Sequence, residues 1–306
     1  MGSRGTAGAI AVNQLINGEE SSVEDRVEVI RGLMSRLAGR ELGFNESLCY
    51  SELDHADRNL SIAHMLRSYG VIRDAAHDAV LSYTRQCAIE TTARDLAAMV
   101  ATLGNGGVQP VTGERVLDPD VCRLTMAVMS SAGMYDGAGR WMARVGIPAK
   151  SGVSGGLIGT LPGQLGLATF SPRLDAEGNS VRGTMIFEKL SEQMGLHLMN
   201  PVPVGVHAVR SIEEQGEDTV IVLQGMINFS AAESILHEIC ARDFSASRLV
   251  LDVTRVVRVD RTGRRLLAAS LLRMRRAGYD IAIRDPERRL RDLVLSDGTR
   301  APRVEG

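Results

Sequence analysis

Lysine is almost missing from this chain: only Lys150 and Lys189 stand among its 35 basic residues, and the rest are arginine. That bias matches codon usage in a GC-rich genome. With a net charge of −2 it does not mark a nucleic-acid binder. Aromatic residues are scarce too, at 4%, and none interleave the basic stretches, so no platform for stacked bases is expected. The four cysteines, Cys49, Cys87, Cys122 and Cys240, are scattered without a C-x-x-C pair, which predicts free thiols rather than disulfides or a zinc site. His55 and His64, the nearest histidines, lie nine apart, a spacing that puts no metal pair on a helix. No metal and no cofactor are expected. No apolar run approaches the ~18 residues of a membrane span, and the start lacks a signal-peptide core. The expected location is the cytoplasm, with no membrane or nucleic-acid partner. One further absence concerns chemistry. The residues three before the two lysines are Ile147 and Ile186, so there is no Ser-x-x-Lys, the pairing of a serine nucleophile with a lysine base one helical turn away.

What is present describes an ordinary globular chain of 306 residues, 44% hydrophobic and 24% charged, long enough for two cores. Asn200-Pro201-Val202-Pro203-Val204-Gly205 reads as an extended linker, because alternate prolines prevent helix. Before it, apolar periodicity predicts helices over 23–37, 51–69 (with Ser51 as N-cap), 81–103 and 119–131, the last with Asp118 as cap and Pro119 in its first turn. Strands are expected at 144–151, 156–161 and 165–171 as an antiparallel meander, then a helix at 182–198. After the linker the pattern is strands 206–212 and 219–224, helix 230–242, strand 248–253, helix 262–277, strand 280–284 and helix 286–293. This alternation predicts a small α/β domain. Residues 1–199 carry 18 basic and 22 acidic groups, and residues 200–306 carry 17 and 15, so neither half implies a polyanionic partner.

Three constellations could carry chemistry. Glu52 and Asn59, seven apart on one expected helix, would share a face about 10 Å apart, suited to the charged ends of an amino acid. The same spacing fits a solvated helix face beside Asp54 and Asp57. Tyr83 and Tyr135 are two of five tyrosines, and Tyr135 lies in a glycine-bearing segment that fits a functional loop. A phenol can relay a proton there, or simply pack its ring. Lys150 precedes Ser151-Gly152-Val153-Ser154-Gly155-Gly156, placing a cation next to several backbone N–H groups. Such a turn suits an oxyanion hole, or an ordinary hairpin with a lysine reaching to solvent. A Lys-Ser-Gly strand of this kind is also found in β-lactamases and penicillin-binding enzymes, but no Ser-Asp-Asn accompanies it here.

Residues 7–199 resemble the serine-dependent glutaminases, β-lactamase-like amidohydrolases that convert glutamine to glutamate and ammonia. The likeness runs through Ala7-Gly8-Ala9-Ile10, Ser51-Glu52 with Asn59, Tyr83 with Cys87, the segments 102–107, 112–117, 131–136 and 148–156, and Ser171-Pro172 with Gly178-Asn179-Ser180. The resemblance implies that Glu52 and Asn59 hold the α-amino and α-carboxylate groups of L-glutamine and that Tyr83 lines the pocket. It implies that Tyr135 relays a proton, the Val153 backbone N–H donates to the oxyanion, and Lys150 supports the strand. It also implies a homo-oligomer formed through this domain. Two departures matter: Thr6 stands where the family has an asparagine, and the Ser-x-x-Lys helix has no counterpart. Residues 1–199 are therefore expected to be a β-lactamase-like helical and antiparallel-sheet domain, incomplete at its N-terminal side and showing little or no turnover.

Residues 206–306 resemble a STAS domain, the small α/β module of anti-sigma-factor antagonists, through 220–225, 249–253 and Val259-Asp260-Arg261-Thr262-Gly263. Thr262 matches the position that takes a regulatory phosphate in those antagonists, although a simple helix N-cap is the plainer role. Eight arginines within 255–276 fit a solvated helix face or a site for an acidic or anionic partner. The expectation is a mixed α/β protein with a glutaminase domain at 1–199, a linker at 200–205 and a STAS domain at 206–306. The alternative is a non-catalytic glutamine-binding or regulatory protein acting through the STAS domain.

Overall fold

The structure, a computed structural model, describes residues 2–18, 20–200, 207–242, 244–290, 293–295 and 297–304. The expected linker lies outside these residues except for Asn200. Two compact units divide at Phe187/Glu188.

The first unit is mainly helical: α1 (Gly2–Asn13), α2 (Val23–Ala38), α3 (Glu46–Leu53), α4 (Asp57–Ser68), α5 (Ala76–Cys87), α6 (Ala93–Gly104), α7 (Pro119–Ala132) and α8 (Ala138–Arg144). A meander follows, β1 (Ala149–Ser151), β2 (Gly156–Leu161) and β3 (Leu165–Phe170), all antiparallel in the order β1-β2-β3. Helix α9 (Val181–Met194) spans the division between units. Local chemistry explains most boundaries. The Ser22 hydroxyl accepts from the Asp25 N–H to start α2, and Gly39, at φ 74°, ends it in the left-handed region. Asp118 caps α7, with Pro119 in its first turn.

Two expected helices are each broken in two. The segment 51–69 is α3 and α4 separated by a turn at residues 54–56; Asn45, not Ser51, caps α3, and Ala56 turns into a core with Ile10, Ile62 and Ala79. The segment 81–103 is α5 and α6, broken at residues 88–92, where Ile89 bridges to Phe44 and Thr92 forms a capping box with Asp95. The expected strand 144–151 shrinks to β1 because Arg144 ends α8 and the chain then turns, the Trp141 carbonyl accepting from the Val145 and Gly146 N–H groups with Gly146 at φ 64°. Helix α1 was not expected.

The second unit holds β4 (Val209–Gln215), β5 (Asp218–Ile227), α10 (Phe229–Cys240), β6 (Arg248–Val259), α11 (Arg261–Arg276) and β7 (Asp280–Arg284). Its sheet runs β4-β5-β6-β7, antiparallel at the first pairing and parallel at the next two. Buried faces of Leu223, Ile235, Val253, Leu267 and Leu271 form its core. The expected helix 286–293 is a turn over its described residues. The buried Asp285 carboxylate accepts from the Arg289 N–H (2.7 Å) and the Leu290 N–H (2.8 Å), and Arg288 is left-handed at φ 54°. Those amides are satisfied without a helical ladder.

Two tests follow from this packing. A Cβ on Gly166 of β3 would lie 2.5 Å from the Ala101 nitrogen and 2.7 Å from the Ala97 carbonyl oxygen, both backbone atoms of α6. Backbone cannot rotate away, so Gly166→Ala is expected to lower unfolding stability by about 3 kcal/mol, the upper end for overpacking, measured by denaturant melts. Asp95 accepts two bonds from Arg40 (Nε 2.8 Å, Nη2 2.6 Å) and one from the Thr92 N–H (2.7 Å). The Arg40 guanidinium, opposed by desolvation and helped by Thr92, holds this carboxyl well below the usual carboxylate range. A depressed carboxylate stabilises the fold above its unfolded pKa of about 4 and loses that contribution as pH falls toward the folded value. Asp95→Asn should therefore lower the melting temperature at neutral pH, and the gap to the parent chain should close progressively on acidification.

Candidate active site

The expected site residues fall into two groups within the first unit. Glu52 lies in the last turn of α3, and Tyr83 and Cys87 lie one turn apart on α5, facing each other. Burial, then the neighbouring Cys87 thiol, pushes the Tyr83 phenol up to about 12, and the Glu52 charge adds to the rise. Thr6 of α1 hydrogen-bonds the same phenol and opposes the shift. The residue that departs from the family pattern thus touches an expected substrate contact. Burial raises the Cys87 thiol as well, and its bond with Tyr83 opposes that. Glu52 and Asn59 do not share a helix, contrary to the sequence reading: Asn59 is on α4, beyond the turn. Glu52 is exposed and Asn59 half-buried, and among the described residues neither side chain spends a hydrogen bond on the protein.

The second group surrounds the start of the meander. Tyr135 opens a single 3-10 turn, Tyr135–Gly137, with φ 53°, a left-handed conformation that costs a non-glycine residue about 1–3 kcal/mol. Three contacts hold it. Its hydroxyl donates to the Ser151 carbonyl at 3.2 Å, and the Lys150 ammonium stands 4.5 Å above its ring centroid. Gly178, itself at φ 89°, lies against the ring, where a Cβ would come 3.6 Å from Cε2. Partial desolvation lowers the Lys150 pKa from the ordinary lysine value, and its ammonium also donates to the Ser151 carbonyl. A cation over a phenol ring, both converging on one carbonyl, is suited to holding or passing a proton.

Val153 tips the turn between β1 and β2 and is 76% exposed. Gly152 donates to the Gly156 carbonyl (2.8 Å) and Gly155 to the Gly152 carbonyl (2.9 Å), while no described acceptor takes the Val153 N–H. An unspent backbone donor is what an oxyanion hole requires. Gly155 makes the turn possible: it sits at φ 96°, and a Cβ would meet the Ser171 carbonyl at 2.4 Å. Among the described residues no hydrogen bond or ion pair joins the Tyr83 group to the Tyr135 group. Sequence reasoning did not single out Thr6 as a partner of Tyr83 or Gly178 as a wall for Tyr135. Both lie in segments whose local pattern carries no signal for such long-range pairing. No group of three or more His, Cys, Asp or Glu among the described residues could hold a metal ion, and no described helix is long and apolar enough to cross a membrane.

In the second unit Thr262 is not the helix cap. Asp260 caps α11 by accepting from the Gly263 N–H at 2.6 Å, and the Thr262 hydroxyl donates to the Gln193 carbonyl at 2.7 Å.

Comparison with known proteins bears on this arrangement. The glutaminase family profile matches residues 5–199. A glutaminase of Corynebacterium efficiens is 62% identical over 299 residues, covering 98% of this chain and 71% of that protein. The alignment therefore extends through the second unit. A crystal structure of Mglu superposes with a TM-score of 0.64 at 47% identity, over 92% of this chain and 71% of the other. The covalent complex of Bacillus subtilis glutaminase YbgJ with 5-oxo-L-norleucine matches at a TM-score of 0.60 and 31% identity, over 63% of this chain and 68% of that one. On this evidence the chain belongs to the glutaminase family of amidohydrolases.

Proposed function

We propose that residues 1–199 are the glutamine-recognising part of an enzyme that hydrolyses L-glutamine to L-glutamate and ammonia through a serine acyl-enzyme. The observation that carries this reading is the set of unspent polar groups: the Glu52 carboxylate, the Asn59 amide and the Val153 N–H. Glu52 takes the α-ammonium and Asn59 the α-carboxylate, with Tyr83 as a wall. The γ-carbonyl oxygen then accepts from the Val153 N–H as it gains charge. A serine hydroxyl attacks the carbonyl carbon of the side-chain amide while a lysine accepts its proton; the amide C–N bond breaks, and ammonia leaves with a proton relayed at Tyr135. Water then hydrolyses the glutamyl ester. A covalent 5-oxo-L-norleucine complex of the Bacillus subtilis relative supports a nucleophilic mechanism.

No serine in these 306 residues has a lysine three positions on, so we propose that this chain binds glutamine with little or no turnover. The same absence favours a second reading, a non-catalytic glutamine-binding or regulatory protein. In either case residues 206–306 form a STAS-type domain with a protein or anion partner, the molecule acts in the cytoplasm, and its first unit assembles into a homo-oligomer. Phosphorylation of Thr262 would displace its bond to the Gln193 carbonyl. The test is calorimetric titration with L-glutamine alongside an ammonia assay. Binding without release supports the proposal, and absence of binding sinks it, leaving only the regulatory form of the second reading.

A further inference from the structure

At the carboxyl end of the second unit's parallel strands, Arg255, Arg258, Arg261, Arg265 and Arg288 are exposed without a carboxylate partner among the described residues. Arg289 is fixed beside them, donating through Nη1 to the Val257 carbonyl at 3.0 Å, and its own carbonyl accepts from Arg264 Nη2 at 3.4 Å. These bonds tie the end of β6, the first turn of α11 and the turn after β7 into one surface. Among the described residues the local acids do not offset these five arginines. Asp260 is engaged as a helix cap, Asp285 is buried against two amides, and Glu287 pairs with Arg289.

The same place holds a strand edge that no described strand covers, although its Val257 carbonyl accepts from Arg289 and its Thr254 N–H donates to the Asp252 carboxylate. β7 ends at Arg284 opposite Asp252, while β6 runs on to Val259, paired among the described strands only with β5 on its other side. Val257, on this overhang, is 68% exposed between Arg255 and Arg258. Open α/β sheets bind ligands beyond the carboxyl ends of their strands, and an open strand edge is a template for an extended chain.

From these observations we infer that this surface docks an extended acidic polypeptide segment, whose backbone adds along the β6 overhang and whose carboxylates meet the arginines. Arginine forks suit carboxylates bidentately, and Val257 gives an alternate apolar side chain a seat. A nucleic acid has no use for a strand edge, and the surface presents no aromatic side chain for its bases. One valine is too little apolar area to anchor the surface in a bilayer.

The test is fluorescence anisotropy of the full chain with a labelled peptide of alternating glutamate and valine. Binding is expected to weaken as salt is raised, and to fall by about tenfold or more in Arg255→Ser/Arg258→Ser. Arg273→Ser/Arg276→Ser, at the far end of α11, should leave binding unchanged. All four arginines are exposed, and equal melting temperatures will show that the variants fold. As a second variant, Arg258→Glu should shift preference toward a peptide of alternating lysine and valine. Unchanged binding in the first pair, equal loss in the second, or tighter binding of duplex DNA or phosphatidylserine vesicles than of the peptide would overturn the inference. None of these assays involves glutamine, so their failure leaves the glutaminase reading untouched.

Discussion

Ammonia release from glutamine is expected to rise by on the order of 10⁵–10⁶-fold when an upstream segment bearing Ser-x-x-Lys is joined to this chain, and replacing that serine by alanine should return the rate to the level of the 306 residues alone. The size of the effect follows from what the chain supplies without a nucleophile. A positioned substrate and one oxyanion donor accelerate hydrolysis, and the donor alone is worth about 10²–10³-fold. In the proposed mechanism the covalent route supplies the remainder, and a nucleophile and its base act as a unit, so neither is useful alone. Ser151 is the hydroxyl nearest the Lys150–Tyr135 pair in sequence, and it is a poor substitute. It is fully buried, its hydroxyl faces the Gly178 carbonyl at 3.4 Å, and its own carbonyl receives both Tyr135 and Lys150. A buried hydroxyl with no open approach cannot reach an amide carbon. If the 306-residue chain nonetheless turned over glutamine rapidly, and Ser151→Ala abolished that activity, the assignment of an upstream serine would be wrong.

The parts of this architecture that were legible in the sequence are those fixed by local chemistry. Asp118-Pro119 marked the start of α7, alternating glycine-bearing turns marked the meander, and the strand–helix alternation after residue 205 marked the second sheet. The errors came where tertiary packing decides. Nothing between Leu53 and Asp57 is a helix breaker, yet the chain turns there so that Ala56 can enter the core. The break between α5 and α6 did have a local sign, since Thr92 and Asp95 have capping-box spacing, but a continuous apolar period across it argued for one long helix. The candidate site was read from the sequence as residues, without their geometry. Glu52 and Asn59 were read as partners on one helix face, whereas the structure seats them on two helices. Conversely, no spacing rule brings Tyr135 to Lys150 or Thr6 to Tyr83. Those pairings arise from the left-handed Tyr135 backbone and from the packing of α1 beside α5.

Glu52→Ala is expected to remove measurable glutamine affinity, by about thirty-fold or more, because truncating one member of a desolvated charge pair costs about 2–5 kcal/mol, and the exposure of Glu52 in the unliganded chain argues for the lower end. Two further readouts separate a lost contact from a lost fold. The Glu52 charge helps to raise the Tyr83 phenol, so the alanine variant should titrate Tyr83 at lower pH than the parent value of about 12, as followed by ultraviolet absorbance of the phenolate. Burial and Cys87 still act on that phenol, so it should remain above the ordinary tyrosine value in a correctly folded variant. Glu52→Gln separates charge from shape: it keeps an acceptor for the α-ammonium, yet places an amide donor where only acceptors are useful. It should bind glutamine more weakly than the parent chain and shift Tyr83 as the alanine variant does. If Glu52→Gln lowered the Tyr83 titration and left glutamine affinity intact, the carboxylate would be a neighbour of the pocket and not the group that holds the amino acid.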